Sequence, residues 1–175
     1  MEMNILEVKK AKRGDAAAFA RLYEQIYPDL YRFALYTLKH TSDAEDAVSE
    51  TVTDAFASIR KLKKAESFKG WMFRILYNKC KDKLKEYTKK TVELPEDYSE
   101  QAAKEDVEEG VVVRTLFFEL SEEERMIISM HLFAGYTSKE IAELLKMNEN
   151  TVRSKESRAL KNWQCRRRNI RKGRD

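Results

Sequence analysis

Three groups of side chains in this 175-residue chain have types and spacings that could do chemistry. The first lies between Thr137 and Leu160, where Asn150, Thr151, Arg153, Ser154, Lys155 and Arg158 fall on the outward side of a helix that turns Val152 inward. Small polar and basic groups in that position can reach base edges and phosphates in a major groove without bulk. The plainer alternative is a helical hairpin with a solvated face. The second group sets Phe68 and Trp71 among Arg74, Asn78, Lys79, Lys81, Asp82 and Lys85. Unpaired bases need this mixture, because π-faces stack on them and cations meet their phosphates. The alternative is that Phe68, Trp71 and Phe73 belong to a core, and for at least two of them that reading is preferred. The third group is a row of Asp43, Asp46, Ser49, Glu50 and Asp54. An acidic row is either a solvated face or a docking face for a basic protein, and on the residues alone the solvated face is favoured.

Other kinds of chemistry are poorly provided for. His40 and His131 pair with no metal or triad pattern, and there is no glycine-rich nucleotide loop. The expectation is a protein that is not an enzyme and carries no metal or cofactor. Cys80 and Cys165 lie far apart, as reduced cytosolic thiols would. No apolar run approaches a membrane span, and the first residues lack a signal-peptide core. A soluble, cytoplasmic protein is expected.

The net charge is only +4, but charge is segregated. Residues 60–90 carry a local +9 and residues 153–175 a local +8, while residues 98–109 carry −4. Two basic blocks separated by an acidic stretch suggest two nucleic-acid contacts joined by a linker.

These groups must be held by helices. Glycine (5) and proline (2) are scarce, which favours long helices, and no strand pattern of any length appears. Asn4 to Arg13 reads as a short helix ending at Gly14. Asp15 can cap a second, Ala16 to Ile26, and Pro28 suits the first turn of a third carrying Leu30, Phe33, Ala34, Leu35 and Leu38. Ser42 and Glu45 form a capping box for the acidic helix, with Ala47, Val48, Thr51, Val52, Ala55, Phe56 and Ile59 inward. A basic loop, Arg60 to Ser67, leads into one long helix, Phe68 to Lys85. Pro95 and scattered acids mark a flexible linker over about 89–106. Helix resumes over Val107 to Leu120. Ser121 and Glu124 then cap a segment with Ile127, Ile128, Met130, Leu132 and Phe133 packing, and Gly135 ends it. Thr137 and Glu140 make another capping box before a helix carrying Ile141, Ala142, Leu144 and Leu145. Lys146-Met147-Asn148 is a turn, Asn148 caps the next helix, and Arg166 to Arg174 is a basic tail. The fold class expected is all-α, as two small helical domains joined by a flexible acidic linker, the second with a helix-turn-helix. The domains are 1–88, with the linker 89–106, and 107–175.

Taken together, these residues resemble an extracytoplasmic-function sigma factor of the sigma-70 family, over about Phe19 to Trp163. Asp43-Ala44-Glu45-Asp46-Ala47-Val48-Ser49-Glu50-Thr51 is similar to the family's Asp-Ala-Glu-Asp-Leu-Val-Gln-Glu-Thr stretch. Phe68 to Asp82 is similar to its Phe-x-x-Trp-Leu-x-x-Ile-x-x-Asn-x-x-x-Asp segment, and Leu120 to Arg125 with Gly135 to Ala159 to its carboxy-terminal domain. The resemblance implies a sigma factor directing core RNA polymerase to promoters and aiding their melting, with the β′ clamp helices and the β flap as docking points. It turns Asp43, Asp46, Ser49, Glu50 and Asp54 into a polymerase-docking face. It assigns Lys63, Lys64, Phe68, Trp71, Arg74, Asn78, Lys79, Lys81, Asp82 and Lys85 to minus-ten DNA, with a base extruded near the loop before Phe68. It assigns Thr137, Asn150, Thr151, Arg153, Ser154, Lys155 and Arg158 to minus-thirty-five DNA, and it implies an anti-sigma factor as a partner.

Three positions depart from the family pattern: Lys146 for a turn glycine, Glu156 for an apolar residue, and Leu160 for a base. A left-handed backbone at Lys146 would cost about 1 kcal/mol. The alternatives are a helix-turn-helix regulator acting without polymerase, and a sigma-like accessory protein of a mobile element.

Overall fold

The structure, a computed structural model, describes residues 4–90 and 117–172, with side chains placed for 4–87 and 117–162. Among the described residues there is no strand. The chain divides into two compact units, one within residues 1–97 and the other within 98–175.

The first unit begins with α1 (Ile5–Lys12), capped by the Asn4 side chain, which accepts from Leu6 N at 3.0 Å. The Asp15 carboxylate caps α2 (Ala16–Leu38) by accepting from Ala18 N at 2.9 Å. One helix therefore runs where the sequence suggested two, and Pro28 lies inside it. An internal proline costs about 3 kcal/mol, because its N–H is missing and its ring crowds the preceding turn. Phe19, Leu22, Ile26, Leu30, Phe33 and Leu38 continue a single buried stripe across that position, while Pro28 itself is exposed. Burying a large apolar side chain stabilises by about 1.5–3 kcal/mol, so this stripe outweighs the local break. Lys39, left-handed at φ 60°, ends the helix.

Helix α3 (Thr41–Ser58) is capped by His40, whose Nδ1 accepts from Asp43 N at 3.3 Å, and not by Ser42. Its buried residues are small: Ala44, Ala47, Val48, Thr51 and Ala55. Thr51 satisfies its hydroxyl by donating to Ala47 O at 2.7 Å. Two residues expected inside lie further out. Val52 is half-buried, and Phe56 is 47% exposed, touching Phe19 by its edge at 5.2 Å. The basic loop contains two 3₁₀ turns, Ile59–Lys61 and Ala65–Ser67. Helix α4 (Phe68–Lys90) then buries Phe68, Met72, Phe73, Leu76, Tyr77 and Cys80. Edge-to-face contacts of Phe33 with Phe73 (5.7 Å) and Phe19 with Phe68 (6.2 Å) lock α2 to α4. Burial pushes the Cys80 thiol up to about 12, so it stays protonated.

In the second unit, Ser121 and Glu124 form the expected capping box on α5 (Glu122–Ser129). A π-turn, Met130–Ala134, follows, and Gly135 closes it in the left-handed region at φ 72°. Met126, Ile127, Ile128 and Met130 are buried, whereas Leu132, expected to pack, is 48% exposed. The π-turn shifts the helical phase there and rotates Leu132 outward. Thr137 and Glu140 form their capping box on α6 (Ser138–Leu145), and Lys146 ends it at φ 56°, ψ 44°. Helix α7 (Glu149–Lys172) lies against α5 and α6, with its Val152 and Ala159 buried, as are Ile141 and Ala142 of α6. Helix α4 runs two residues into the expected linker, to Lys90; the rest of that linker, the Val107 to Leu116 part of the expected helix, and the side chains of Trp163 and the basic tail lie outside the described residues. The α7 backbone continues through the tail to Lys172.

Candidate nucleic-acid and protein interfaces

Helix periodicity divides the polar residues of α4 between two faces. Arg74, Asn78, Lys81 and Lys85 recur at four, three and four residues and are all exposed, so they form one strip, with Asp82 beside it. Lys85 holds Asp82 at 3.0 Å, and Lys81 lies 5.8 Å over the Tyr77 ring. Lys63 and Lys64 are exposed in the preceding loop. Trp71 is half-buried, with its ring 6.1 Å from that of Phe68. Phe68 has no exposed surface, so its ring is part of the core and supports Trp71 from beneath.

Lys79 lies on the other face, 100° round the helix from Asn78. It reaches α3, where it contacts Asp54 at 2.8 Å and Glu50 at 3.2 Å. One turn on, Lys83 contacts Asp43 at 3.3 Å and Asp46 at 3.7 Å. The acidic row thus forms a seam with α4. Asp43 is its deepest member, held by Lys83 at 3.3 Å and by a hydrogen bond donated from the Tyr87 hydroxyl. Burial alone would raise the Asp43 pKa, but the Tyr87 and Lys83 hydrogen bonds outweigh it and hold the carboxyl below its ordinary value. Burial, reinforced by that carboxylate, pushes Tyr87 up. The hydrogen bond to Asp54 raises Lys79 despite partial desolvation, and Glu50 adds to it. Asp46, Glu50 and Asp54 keep more than half of their side-chain surface in water, and Ser49 is exposed between them. Sequence reasoning did not single out Lys83 and Tyr87. The available signal was their i, i+4, i+8 spacing from Lys79, matched to the carboxylates at 43, 46, 50 and 54.

In the second unit the Asn148 side chain accepts from Asn150 N at 2.9 Å and starts α7. Asn150, Thr151, Arg153, Ser154 and Arg158 are exposed along its front. Arg153 is braced by Glu149 at 2.6 Å, and Lys155 is drawn to Glu123 of α5 at 2.6 Å, leaving it only 25% exposed. The Thr137 side chain is engaged in its capping box. Glu156 faces inward, where it accepts from the Ser138 hydroxyl at 2.9 Å and meets His131 Nδ1 at 3.0 Å. The charge at this usually apolar position is therefore partnered, and His131 gains a structural role that its sequence context did not suggest.

An all-α protein with a basic strip on one unit and a helix-turn-helix on the other has the makings of a two-point reader of DNA. The comparisons with known proteins narrow that class. Residues 22–90 match the family model of sigma-70 region 2, and residues 112–162 match that of sigma-70 region 4. The RNA polymerase sigma factor SigV of Bacillus subtilis is 30% identical over 136 residues, which span 76% of this chain and 81% of SigV. The ECF RNA polymerase sigma factor SigM of Mycobacterium tuberculosis is 27% identical over 147 residues, spanning 83% of this chain and 75% of SigM. Two solved structures share the fold at a TM-score of 0.66. CnrH in complex with the cytosolic domain of CnrY is 20% identical, with 93% of this chain and 96% of that one covered. The sigma factor RpoE of Bartonella quintana, bound to the anti-sigma factor NepR, is 22% identical, with 83% and 94% covered. The chain belongs to the sigma-70 family of RNA polymerase sigma factors, in its extracytoplasmic-function group.

Proposed function

We propose that this protein is the promoter-specificity subunit of a bacterial RNA polymerase: it docks on the core enzyme, selects promoters and helps to melt them. The observation that carries this reading is the pairing of both sigma-70 regions in one chain, each with its polar residues presented outward. Residues 1–88 act as the docking and melting domain, 89–106 as the linker, and 107–175 as the minus-thirty-five reader. On the first domain, Asp46, Ser49, Glu50 and Asp54 face the β′ clamp helices, with Asp43 fixing the row from below. The Arg74, Asn78, Lys81 and Lys85 strip, with Lys63 and Lys64, follows the minus-ten strand, and Trp71 offers a ring to it. Extruding a base costs a few kcal/mol, and stacking worth about 1–3 kcal/mol per base with phosphate contacts offsets this. Asn150, Thr151, Arg153, Ser154 and Arg158 read the minus-thirty-five duplex. The second domain also meets the β flap, an anti-sigma factor holds the protein inactive, and the work is done in the cytoplasm. The protein itself catalyses no reaction, because bond formation belongs to the polymerase.

The test is reconstitution. Purified protein added to core polymerase should form a complex and start transcription from a subset of promoters in a genomic library. Absence of both the complex and promoter-dependent transcripts overturns the proposal.

A further inference from the structure

The front of α7 is not uniform across its width. At 100° per residue, with Val152 and Ala159 turned inward, Asn150, Ser154 and Ser157 run down its middle. Thr151 and Arg158 occupy one shoulder and Arg153 the other, all of them exposed. The cations of this stretch are held in different ways. Lys155 is turned aside to Glu123 of α5. Arg158 has no ion pair among the described residues. Arg153 keeps 65% of its side chain exposed while its Nη2 meets Glu149 Oε1 at 2.6 Å, one turn back on the same shoulder. Glu149 is itself fixed by the start of the helix. The Asn148 side chain accepts from Asn150 N at 2.9 Å, and its carbonyl accepts from Thr151 N at 3.0 Å and Val152 N at 3.1 Å. Glu149 is therefore in the first turn, where a carboxylate also suits the helix dipole.

We propose that Glu149 is a positioning residue that sets base specificity: it aims Arg153 at the edge of a guanine and keeps it from the phosphates. The inference rests on the proposed function for the duplex that α7 reads. One N–H of the Arg153 guanidinium is committed to the carboxylate, so the remaining fork of N–H groups is aimed instead of swinging on a flexible stem. Guanine O6 and N7 accept such a fork side by side, and no other base offers two acceptors on that edge. The carboxylate also biases the choice of partner. With a negative charge against it, Arg153 presents little net charge to a phosphate, and Glu149 repels a phosphate that comes near. A guanine edge carries no net charge, so contact with it depends on hydrogen-bond direction and loses less. Without the carboxylate, Arg153 would turn to the backbone, where contacts position a protein but specify no base.

The experiment selects promoters from a library randomised only in the minus-thirty-five element, using the full chain with core polymerase. The parent should prefer guanine at one position by about tenfold or more. Glu149→Gln should lose most of that preference and leave the other positions as they were. Its plot of log occupancy against log salt should steepen by about 0.9, the signature of one more phosphate contact on duplex DNA. Arg153→Ala should flatten the same position, and adding Glu149→Gln to it should change no base preference further. Glu149→Asp, which keeps the carboxylate on a shorter stem, should retain part of the preference. If Glu149→Gln lowers occupancy equally on all sequences with the guanine preference intact, the carboxylate only stabilises the helix and the inference fails. It fails also if Arg153→Ala alters no position while the parent still starts promoter-dependent transcription, an outcome that leaves the proposed function standing. A parent that starts no promoter-dependent transcript overturns the proposed function, and this inference with it.

Discussion

At the scale of single residues, two departures from the family pattern have physical explanations that differ in kind. Lys146 is left-handed at φ 56°. Its side chain is exposed and offsets nothing, so the backbone cost of about 1 kcal/mol stands. Lys146→Gly removes that strain, while glycine's extra freedom in the unfolded chain takes back about 0.5 kcal/mol. The net expectation is a gain of about 0.5 kcal/mol, seen as a higher melting temperature for the second unit; a loss of stability would mean that the turn is relaxed with lysine. Glu156 is the opposite case, because its buried carboxylate has two partners, the half-buried Ser138 hydroxyl and the more exposed His131. Glu156→Ala leaves the Ser138 hydroxyl without its acceptor beside a small cavity and should cost about 2 kcal/mol. Glu156→Leu, of similar volume and matching the family's apolar preference, should stay within about 1 kcal/mol of the parent, since a partnered buried charge gains little over good packing. Denaturant melts of the two variants distinguish this from a simple charge effect, which would move both alike.

At the scale of elements, the α3–α4 seam makes the first unit sensitive to acid, and the sign follows from Asp43. Its carboxyl titrates below the ordinary value in the folded state. The stability it contributes is therefore complete above the ordinary carboxylate range near pH 4 and is lost as pH falls through the folded value. Asp43→Asn should lower stability at neutral pH and flatten the acid limb of the unfolding curve for the first unit. An acid limb unchanged by the substitution would assign that lability to other groups. The helices of each unit were largely legible from apolar periodicity, including the starts of α2, α5 and α6, where a capping side chain precedes each apolar stripe. The failures came where tertiary packing overrode a local signal. Pro28 reads as a boundary, but the buried stripe from Phe19 to Leu38 continues through it. Ser42 reads as a cap, but the helix starts one residue before it, and His40 supplies the acceptor. Lys79 reads as part of a DNA face because it is basic and adjacent to Asn78. Which neighbour lies 100° away on α4 depends on where α3 packs, and spacing within one helix carries no such information. The exposed front of α7 was readable for the converse reason: Val152 and Ala159 fix the inward side, and everything opposite faces outward.

At the scale of the molecule, the chain is two compact units, and the proposed function gives each its own part of the promoter. Contacts in separate units with no shared partner should contribute independently, to within about 0.5 kcal/mol. Arg74 is exposed on α4 of the first unit and Arg158 on α7 of the second. With polymerase present, Arg158→Ala should weaken promoter occupancy by about 1–3 kcal/mol if the guanidinium reads a base edge, and its effect should concentrate at one position of the minus-thirty-five element. Arg74→Ala should act more weakly and uniformly across sequences, and should reduce the salt dependence, because a phosphate contact carries no sequence information. In the double variant the two losses should add as free energies, so the fold-changes multiply for as long as both units remain engaged. Promoter-occupancy titrations of the parent, both single variants and the double variant at two salt concentrations measure this. A double variant no worse than Arg158→Ala alone would mean that the first unit's strip contributes only once the second unit is seated, and the independence of the two readers would be lost.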